Sequence, residues 1–247
     1  MTRQPSLVGA LAISLMMLFS VASGAPRLIL EESEFDFGYV PQNALISHIF
    51  WLKSAGDDSL KILNVIPGCG CTKAPLEDSE LAVGDSTRLE ILFSTGHYSS
   101  RVTKSPRIET NEGPPHKSVR IVANVVTRPD STYPITFKPY KLDISQFGEK
   151  VRDEMRFEIT NVSEQNLEIG LVDRPEGLFS LELPSTLGAG QTATVVLRLH
   201  ADAVETSFEK SITIELNDQQ SSRFTIPVKR TLRLPGETTT TAGIKGE

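Results

Sequence analysis

The feature that most constrains the fold of this chain is an internal repeat of about 106 residues. Phe50, in the run FWLKS, aligns with Phe157 in the run FEITN at an offset of 107, and Ile121 aligns with Ile226 at an offset of 105. Ordered matches continue across most of both halves, and the small drift in offset is what short deletions in loops leave after a duplication. Such self-similarity predicts two copies of one structural unit.

Apolar and polar residues alternate at the matched positions. In residues 87–93, TRLEILF, every second side chain is apolar, and residues 223–228, RFTIPV, repeat the pattern. A period of two is typical of a strand with one buried face, and glycine-rich turns such as residues 188–190 separate the runs. With about seven short strands in each copy of roughly 100 residues, the sequence predicts an all-β protein of two tandem immunoglobulin-like β-sandwich domains.

The domain boundaries follow from the repeat and from the composition of the two ends. Residues 1–24 contain Arg3, an uncharged apolar run and then small residues, which predicts a cleaved secretory signal peptide. We expect the first domain at residues 27–127, the second at residues 133–233 and a disordered tail at residues 234–247. No second long apolar run follows, so no membrane span is expected in the mature protein.

Charge and motif content argue against several classes of function. The 25 Lys and Arg against 31 Asp and Glu give a net charge of −6, and the basic residues are scattered. Nucleic acid is therefore not expected as a partner, because phosphate backbones need clustered cations. No hydrolase, metalloprotease, phosphate-binding or dinucleotide motif occurs. We expect a non-enzymatic protein without a cofactor, which binds or scaffolds another protein in the cell envelope.

Three short motifs in the first copy resemble a known family. They are FDFG at residues 35–38, GCGCT at residues 68–72 and LAVGD at residues 81–85. Together they resemble the bacterial family of exported Ig-like domains known as domain of unknown function 1573, over about residues 30–126. The resemblance implies a sandwich related to the motile-sperm-protein and pilus-chaperone group, and a periplasmic or secreted location. It implies no activity.

The two cysteines, Cys69 and Cys71, occur only in the first copy. Because a related domain is expected to fold without them, they point to a role beyond the fold type. In an extended chain their Cα atoms would lie about 7 Å apart, so a disulfide needs a bend at Gly70. Four interpretations stay open: a local disulfide, a soft-metal chelate with His97 as candidate third ligand, a redox-active dithiol, and pairing between molecules.

Alternation also places apolar side chains on the outer face of the first copy. Ile49 and Trp51 face outward there, and Leu92 joins them from a neighbouring strand, whereas His48 falls on the row that faces the core. Exposed aromatic residues often mark interfaces. The sequence therefore predicts that these three apolar residues contact a protein partner or the neighbouring domain. The second copy has charged residues at the three positions, Arg156, Glu158 and Arg198.

Overall fold

The structure is a computed structural model that describes residues 24–128, 130 and 132–233. The predicted signal peptide, apart from Gly24, and the predicted disordered tail lie outside these residues. Within them, no helix is long and apolar enough to cross a membrane.

Each half of the chain folds into a β-sandwich, and the described residues contain strands but no α-helix. The strands of the first domain are β1 (Leu28–Leu30), β2 (Glu34–Pro41), β3 (Leu45–Ser54), β4 (Leu60–Ile66), β5 (Thr72–Lys73), β6 (Glu80–Leu81), β7 (Ser86–Ser94), β8 (Ser100–Lys104), β9 (Arg107–Thr110), β10 (Lys117–Ser118) and β11 (Arg120–Val126). Those of the second are β12 (Ile135–Lys138), β13 (Leu142–Asp143), β14 (Gln146–Phe147), β15 (Glu154–Asn161), β16 (Leu167–Asp173), β17 (Phe179–Leu181), β18 (Thr186–Leu187), β19 (Thr192–Leu199), β20 (Phe208–Leu216), β21 (Arg223–Arg230) and β22 (Leu232–Arg233). A short 3-10 turn lies at Ala201–Ala203.

The first domain packs two layers of strands around one core. One layer is the sheet in the order β1-β3-β7-β5, and the other is built from the order β10-β9-β4-β6 together with β2, β11 and β8. Alternate side chains of both layers meet in the core, where Phe37, Phe50 and Phe93 are fully buried. Burying each such ring stabilises the fold by about 1.5–3 kcal/mol, which explains why the alternating pattern specifies the strands.

The second domain repeats this arrangement around a core of its own. Its β15 pairs with β19 as β3 pairs with β7, and the registers match, since Phe50 faces Leu89 and Phe157 faces Val195. The prediction of two tandem Ig-like sandwiches is confirmed.

The last strand of each domain departs from the alignment of the two copies. Lys104 and Lys210 match in the repeat at an offset of 106. Lys104 faces Ile121 in the first domain and Lys210 faces Val228 in the second, so Val228 rather than Ile226 is the counterpart of Ile121. The predicted match was therefore wrong by two residues. A shift of two keeps every side chain on the same face, so the alternating pattern does not reveal it.

The two domains share one continuous sheet. Tyr39 of β2 pairs in parallel with Phe224 of β21, which joins the order β18-β16-β20-β21 to β2-β11-β8. The buried hydroxyl of Tyr140 donates a hydrogen bond to the backbone oxygen of Tyr39 at 2.6 Å. Burial raises the pKa of Tyr140 well above its ordinary value and keeps this donor protonated. Thr225 likewise donates to the backbone oxygen of Phe37 at 2.6 Å.

Candidate functional site

A cleft of about 660 Å³ lies between the two domains. One wall is the outer face of β3 and β7, with Ile49 and Trp51. The opposite wall is the turn that follows β16, residues 174–178, together with Lys210 of β20. This turn occupies the place in the second domain that the Cys-Gly-Cys segment occupies in the first.

On the β3–β7 wall, the guanidinium of Arg88 lies over the indole ring of Trp51. Trp51 lies opposite Arg88 in the β3–β7 register, and the guanidinium carbon of Arg88 lies 6.0 Å from the centre of the indole ring. Glu77 accepts two hydrogen bonds from that guanidinium, each of 2.7 Å. The hydrogen bond from Arg88 lowers the pKa of Glu77, so the carboxylate stays charged. Trp51 is 45% exposed and therefore accessible from the cleft.

Polar contacts between the two domains line part of the cleft. The Oγ of Ser211 accepts a hydrogen bond from the backbone N–H of Ser47 at 2.9 Å. The same hydroxyl donates a hydrogen bond to the backbone oxygen of Ser47 at 3.0 Å. Lys210 forms an ion pair with Glu90, with Nζ at 2.6 Å from Oε2. These contacts attach β20 of the second domain to β3 and β7 of the first.

The backbone of β3 is partly unpaired where it borders the cleft. The N–H of Glu90 donates to the oxygen of Pro75 at 3.0 Å, so Glu90 points away from β3 and does not bond to its opposite residue Ile49. The N–H and C=O of Ile49 consequently point to the outer edge of the sheet. On that edge Glu31 bonds to Trp51 and Ser211 bonds to Ser47, which leaves Ile49 unpaired between them among the described residues.

His48 connects the two domains beside the cleft. It is 8% exposed, and its ring stacks on Phe35 with the centroids 3.6 Å apart, as the core-facing prediction requires. Its Nδ1 lies 2.6 Å from Oδ2 of Asp173 in the second domain, and its Nε2 lies 3.0 Å from Oε2 of Glu32. The sequence did not reveal these carboxylates, because Asp173 is 125 residues away and follows no motif.

The predicted outer apolar row is only partly one surface. Ile49 and Trp51 line the cleft together, but Leu92 lies outside it, opposite Ser47 and next to Lys73 of β5. Ile49 and Leu92 are half-buried, whereas Trp51 is exposed. The second domain therefore approaches Ile49, as one of the two alternatives predicted, whereas the indole of Trp51 remains open to solvent and its contact with a partner stays a prediction.

Cys69 and Cys71 are joined by a disulfide, with their Cα atoms 5.3 Å apart. Gly68, at a φ of +84°, supplies the left-handed backbone that turns the chain into this segment. The local disulfide is thus the form that the structure contains. His97 is exposed, and no group of three or more His, Cys, Asp or Glu side chains in the described ranges could hold a metal ion.

A tyrosine and a lysine adjoin the disulfide. The hydroxyl of Tyr98 lies 3.6 Å from Sγ of Cys71, and Nζ of Lys104 donates to that hydroxyl at 3.0 Å. Nζ of Lys104 also lies 4.8 Å from the centre of the Tyr98 ring. The Oγ1 of Thr72 lies 3.4 Å from Sγ of Cys69. Only the fold brings Tyr98 and Lys104 to the cysteines, so spacing in the sequence did not predict them.

Two sandwiches that share a sheet and enclose a cleft define a two-domain Ig-like protein. Residues 28–125 match the family described as protein of unknown function (DUF1573), which confirms the resemblance noted from the motifs. Residues 134–231 match the family described as HYDIN/CFA65/VesB-like, Ig-like domain. The two halves are therefore both Ig-like, although each matches a different family.

Several solved structures are similar to this chain at low identity. A protein of unknown function from Porphyromonas gingivalis W83 is 15% identical, with a TM-score of 0.36 and coverage of 83% of this chain and 99% of that one. PapD-like domain 7 of human CEP192 is 9% identical, with a TM-score of 0.35 and coverage of 50% and 99%. The VesB protease of Vibrio cholerae is 12% identical, with a TM-score of 0.34 and coverage of 40% and 31%. No curated protein matches the chain.

Proposed function

We propose that this protein is a non-enzymatic binding protein of the bacterial cell envelope that holds an extended segment of a partner protein in the interdomain cleft. The observation that carries the proposal is the exposed indole of Trp51, which lies beside the unpaired backbone edge at Ile49. The envelope location rests on the predicted signal peptide and on the resemblance of the first domain.

The unpaired edge of β3 favours an extended partner. A peptide that lies along a sheet edge satisfies its own N–H and C=O groups through main-chain hydrogen bonds, and its alternate side chains enter neighbouring pockets. Ile49 offers free backbone groups here, and its neighbours Ser47 and Trp51 already accept hydrogen bonds on this edge, so the main chain would contribute few hydrogen bonds. Contacts of the partner's side chains with Trp51 must then supply most of the affinity.

The charge of the cleft favours a basic rather than an acidic segment. Five carboxylates line the cleft against three Lys and Arg side chains. Lys210 and Arg88 are already paired with Glu90 and Glu77, so they do not provide free positive charge. A segment with an aromatic or apolar anchor for Trp51 and at least one Lys or Arg nearby complements this lining.

Site-specific photo-crosslinking in cells tests the proposal. A photoreactive amino acid replaces Glu176, which is exposed on the wall opposite Trp51, and the matched control replaces Glu164, which is exposed in the same domain outside the cleft. We expect position 176 to capture one reproducible extended segment, mapped by mass spectrometry, that position 164 does not capture. Equal capture at both positions, or none at position 176, would contradict the proposal.

A further inference from the structure

We propose that the Cys69–Cys71 disulfide is exchange-active: an external thiolate attacks Sγ of Cys69, and Sγ of Cys71 leaves as a thiolate beside Tyr98 and Lys104. This inference concerns the first domain alone and does not depend on the cleft. The external reactant is a dithiol, either a small molecule or a protein, and the reverse reaction uses the corresponding disulfide.

The disulfide has little to contribute as a structural crosslink. It joins residues separated by two positions, and a loop this short removes little entropy from the unfolded chain. The second domain forms the same sandwich with the turn at residues 174–178 in place of this segment and with no cysteine. The pair is therefore better explained by reactivity than by stability.

The surroundings of the two sulfur atoms set the direction of attack. Cys71 packs against the core of the first domain, and its backbone oxygen accepts a hydrogen bond from Ser94 at 2.8 Å. Both cysteines are half-buried, but Cys69 lies between two exposed glycines, Gly68 and Gly70, and is not among the residues packed against that core. Cys69 is therefore the more accessible of the two to an incoming thiolate.

Tyr98 and Lys104 favour Cys71 as the leaving group. Because Nζ of Lys104 donates to the oxygen of Tyr98, the hydroxyl hydrogen of Tyr98 is free to point toward Sγ of Cys71. A donated hydrogen bond and a nearby ammonium both stabilise a thiolate, and a better leaving group accelerates thiol–disulfide exchange.

The reaction balances without any other reactant. The external thiolate forms a bond to Sγ of Cys69 as the Cys69–Cys71 bond breaks, and the electron pair goes to Sγ of Cys71. The second thiol of the dithiol, as a thiolate, then attacks the external sulfur of the mixed disulfide and releases Cys69 as a thiolate. The dithiol loses two electrons and two protons and becomes a disulfide, while Cys69 and Cys71 become a pair of thiols.

The rate of reduction by dithiothreitol at pH 7 tests the role of Tyr98. Purified mature protein is quenched with a thiol-alkylating reagent over time, and the mass shift gives the reduced fraction. We expect Tyr98→Phe to slow reduction about tenfold, as the loss of one hydrogen bond to a developing charge would. Lys104→Met should also slow it, and Lys104→Arg should restore most of the rate. The matched control Lys73→Met removes another exposed lysine at this segment and should leave the rate unchanged.

Two results would overturn the proposal. One is a reduction rate for Tyr98→Phe within twofold of the unmodified protein, with folding verified by circular dichroism. The other is the wrong direction of attack, which trapping of the mixed disulfide reveals with reduced glutathione as the monothiol probe. After rapid alkylation and peptide mapping, glutathione should be found on Cys69 and the alkyl group on Cys71. Glutathione found mainly on Cys71, or equally on both cysteines, would contradict the assignment.

Discussion

Removing the hydroxyl of Tyr140 tests whether direct contacts hold the two domains together. Tyr140 is buried in the second domain, where its ring stacks on Phe137 with the centroids 4.6 Å apart. Its hydroxyl bonds to the backbone oxygen of Tyr39 in the first domain. Tyr140→Phe removes one oxygen atom and keeps the ring, so the change is confined to the hydrogen bond between the domains.

The expected loss follows from the burial of both partners. An intramolecular hydrogen bond contributes about 0.5–1.5 kcal/mol, and a carbonyl left without its partner raises the cost to about 1–3 kcal/mol. For a protein of this size, such a loss lowers the unfolding midpoint by about 2–12 °C. Thr225 still bonds to Phe37, so the domains should remain associated at room temperature.

Thermal and urea unfolding measure this effect. The control is Tyr133→Phe, because Tyr133 is 64% exposed and its hydroxyl forms no hydrogen bond among the described residues. We expect Tyr140→Phe to lower the free energy of unfolding and Tyr133→Phe to leave it unchanged within about 0.5 kcal/mol. If Tyr140→Phe were as stable as the control, the contact between Tyr140 and Tyr39 would not help to hold the domains together.

Three further changes test other parts of the structure. Gly38→Ala should cost more than about 2 kcal/mol, measured by urea unfolding, because Gly38 has a φ of +64° and an added Cβ would lie 2.0 Å from a backbone oxygen of β21. Burial raises the pKa of Glu112, but hydrogen bonds from the backbone N–H of Leu28 and from Lys117 outweigh it and lower that pKa below 4.5. Glu112→Gln should therefore reduce the free energy of unfolding by about 1 kcal/mol above pH 4.5. Unfolding curves should show that this difference disappears as the pH falls through the lowered pKa. The double variant Cys69→Ser/Cys71→Ser should unfold within about 6 °C of the unmodified protein, since the loop that it opens is very short; a much larger decrease would indicate a structural crosslink.

The sequence predicted the sandwiches because their cores depend on a repeated alternation of apolar residues. Phe50 and Phe157 occupy equivalent places in that pattern, and burial alone determines their faces. The pattern did not predict the arrangement of the domains. The pairing of Tyr39 with Phe224 depends on how two finished sandwiches meet, and no periodicity in either half reports it.

The candidate sites were predicted in part for the same reason. Trp51 was recognisable as an outward aromatic residue within one strand, and Cys69 and Cys71 as a pair within one turn. The Asp173 that bonds to His48 and the Tyr98 that approaches Cys71 come from distant segments, so their roles appear only when the chain is folded.

Occupation of the cleft can be measured through Trp51, because it is the only tryptophan in the chain. The segment captured by crosslinking at position 176 is synthesised and titrated into the protein while indole emission is followed. We predict a saturable change that Glu176→Lys shifts to higher peptide concentration, since a cation on that wall opposes a basic segment, and that Glu164→Lys, exposed in the same domain but outside the cleft, leaves unshifted. Emission that does not change, or a titration that shifts equally in both variants, would contradict binding in the cleft.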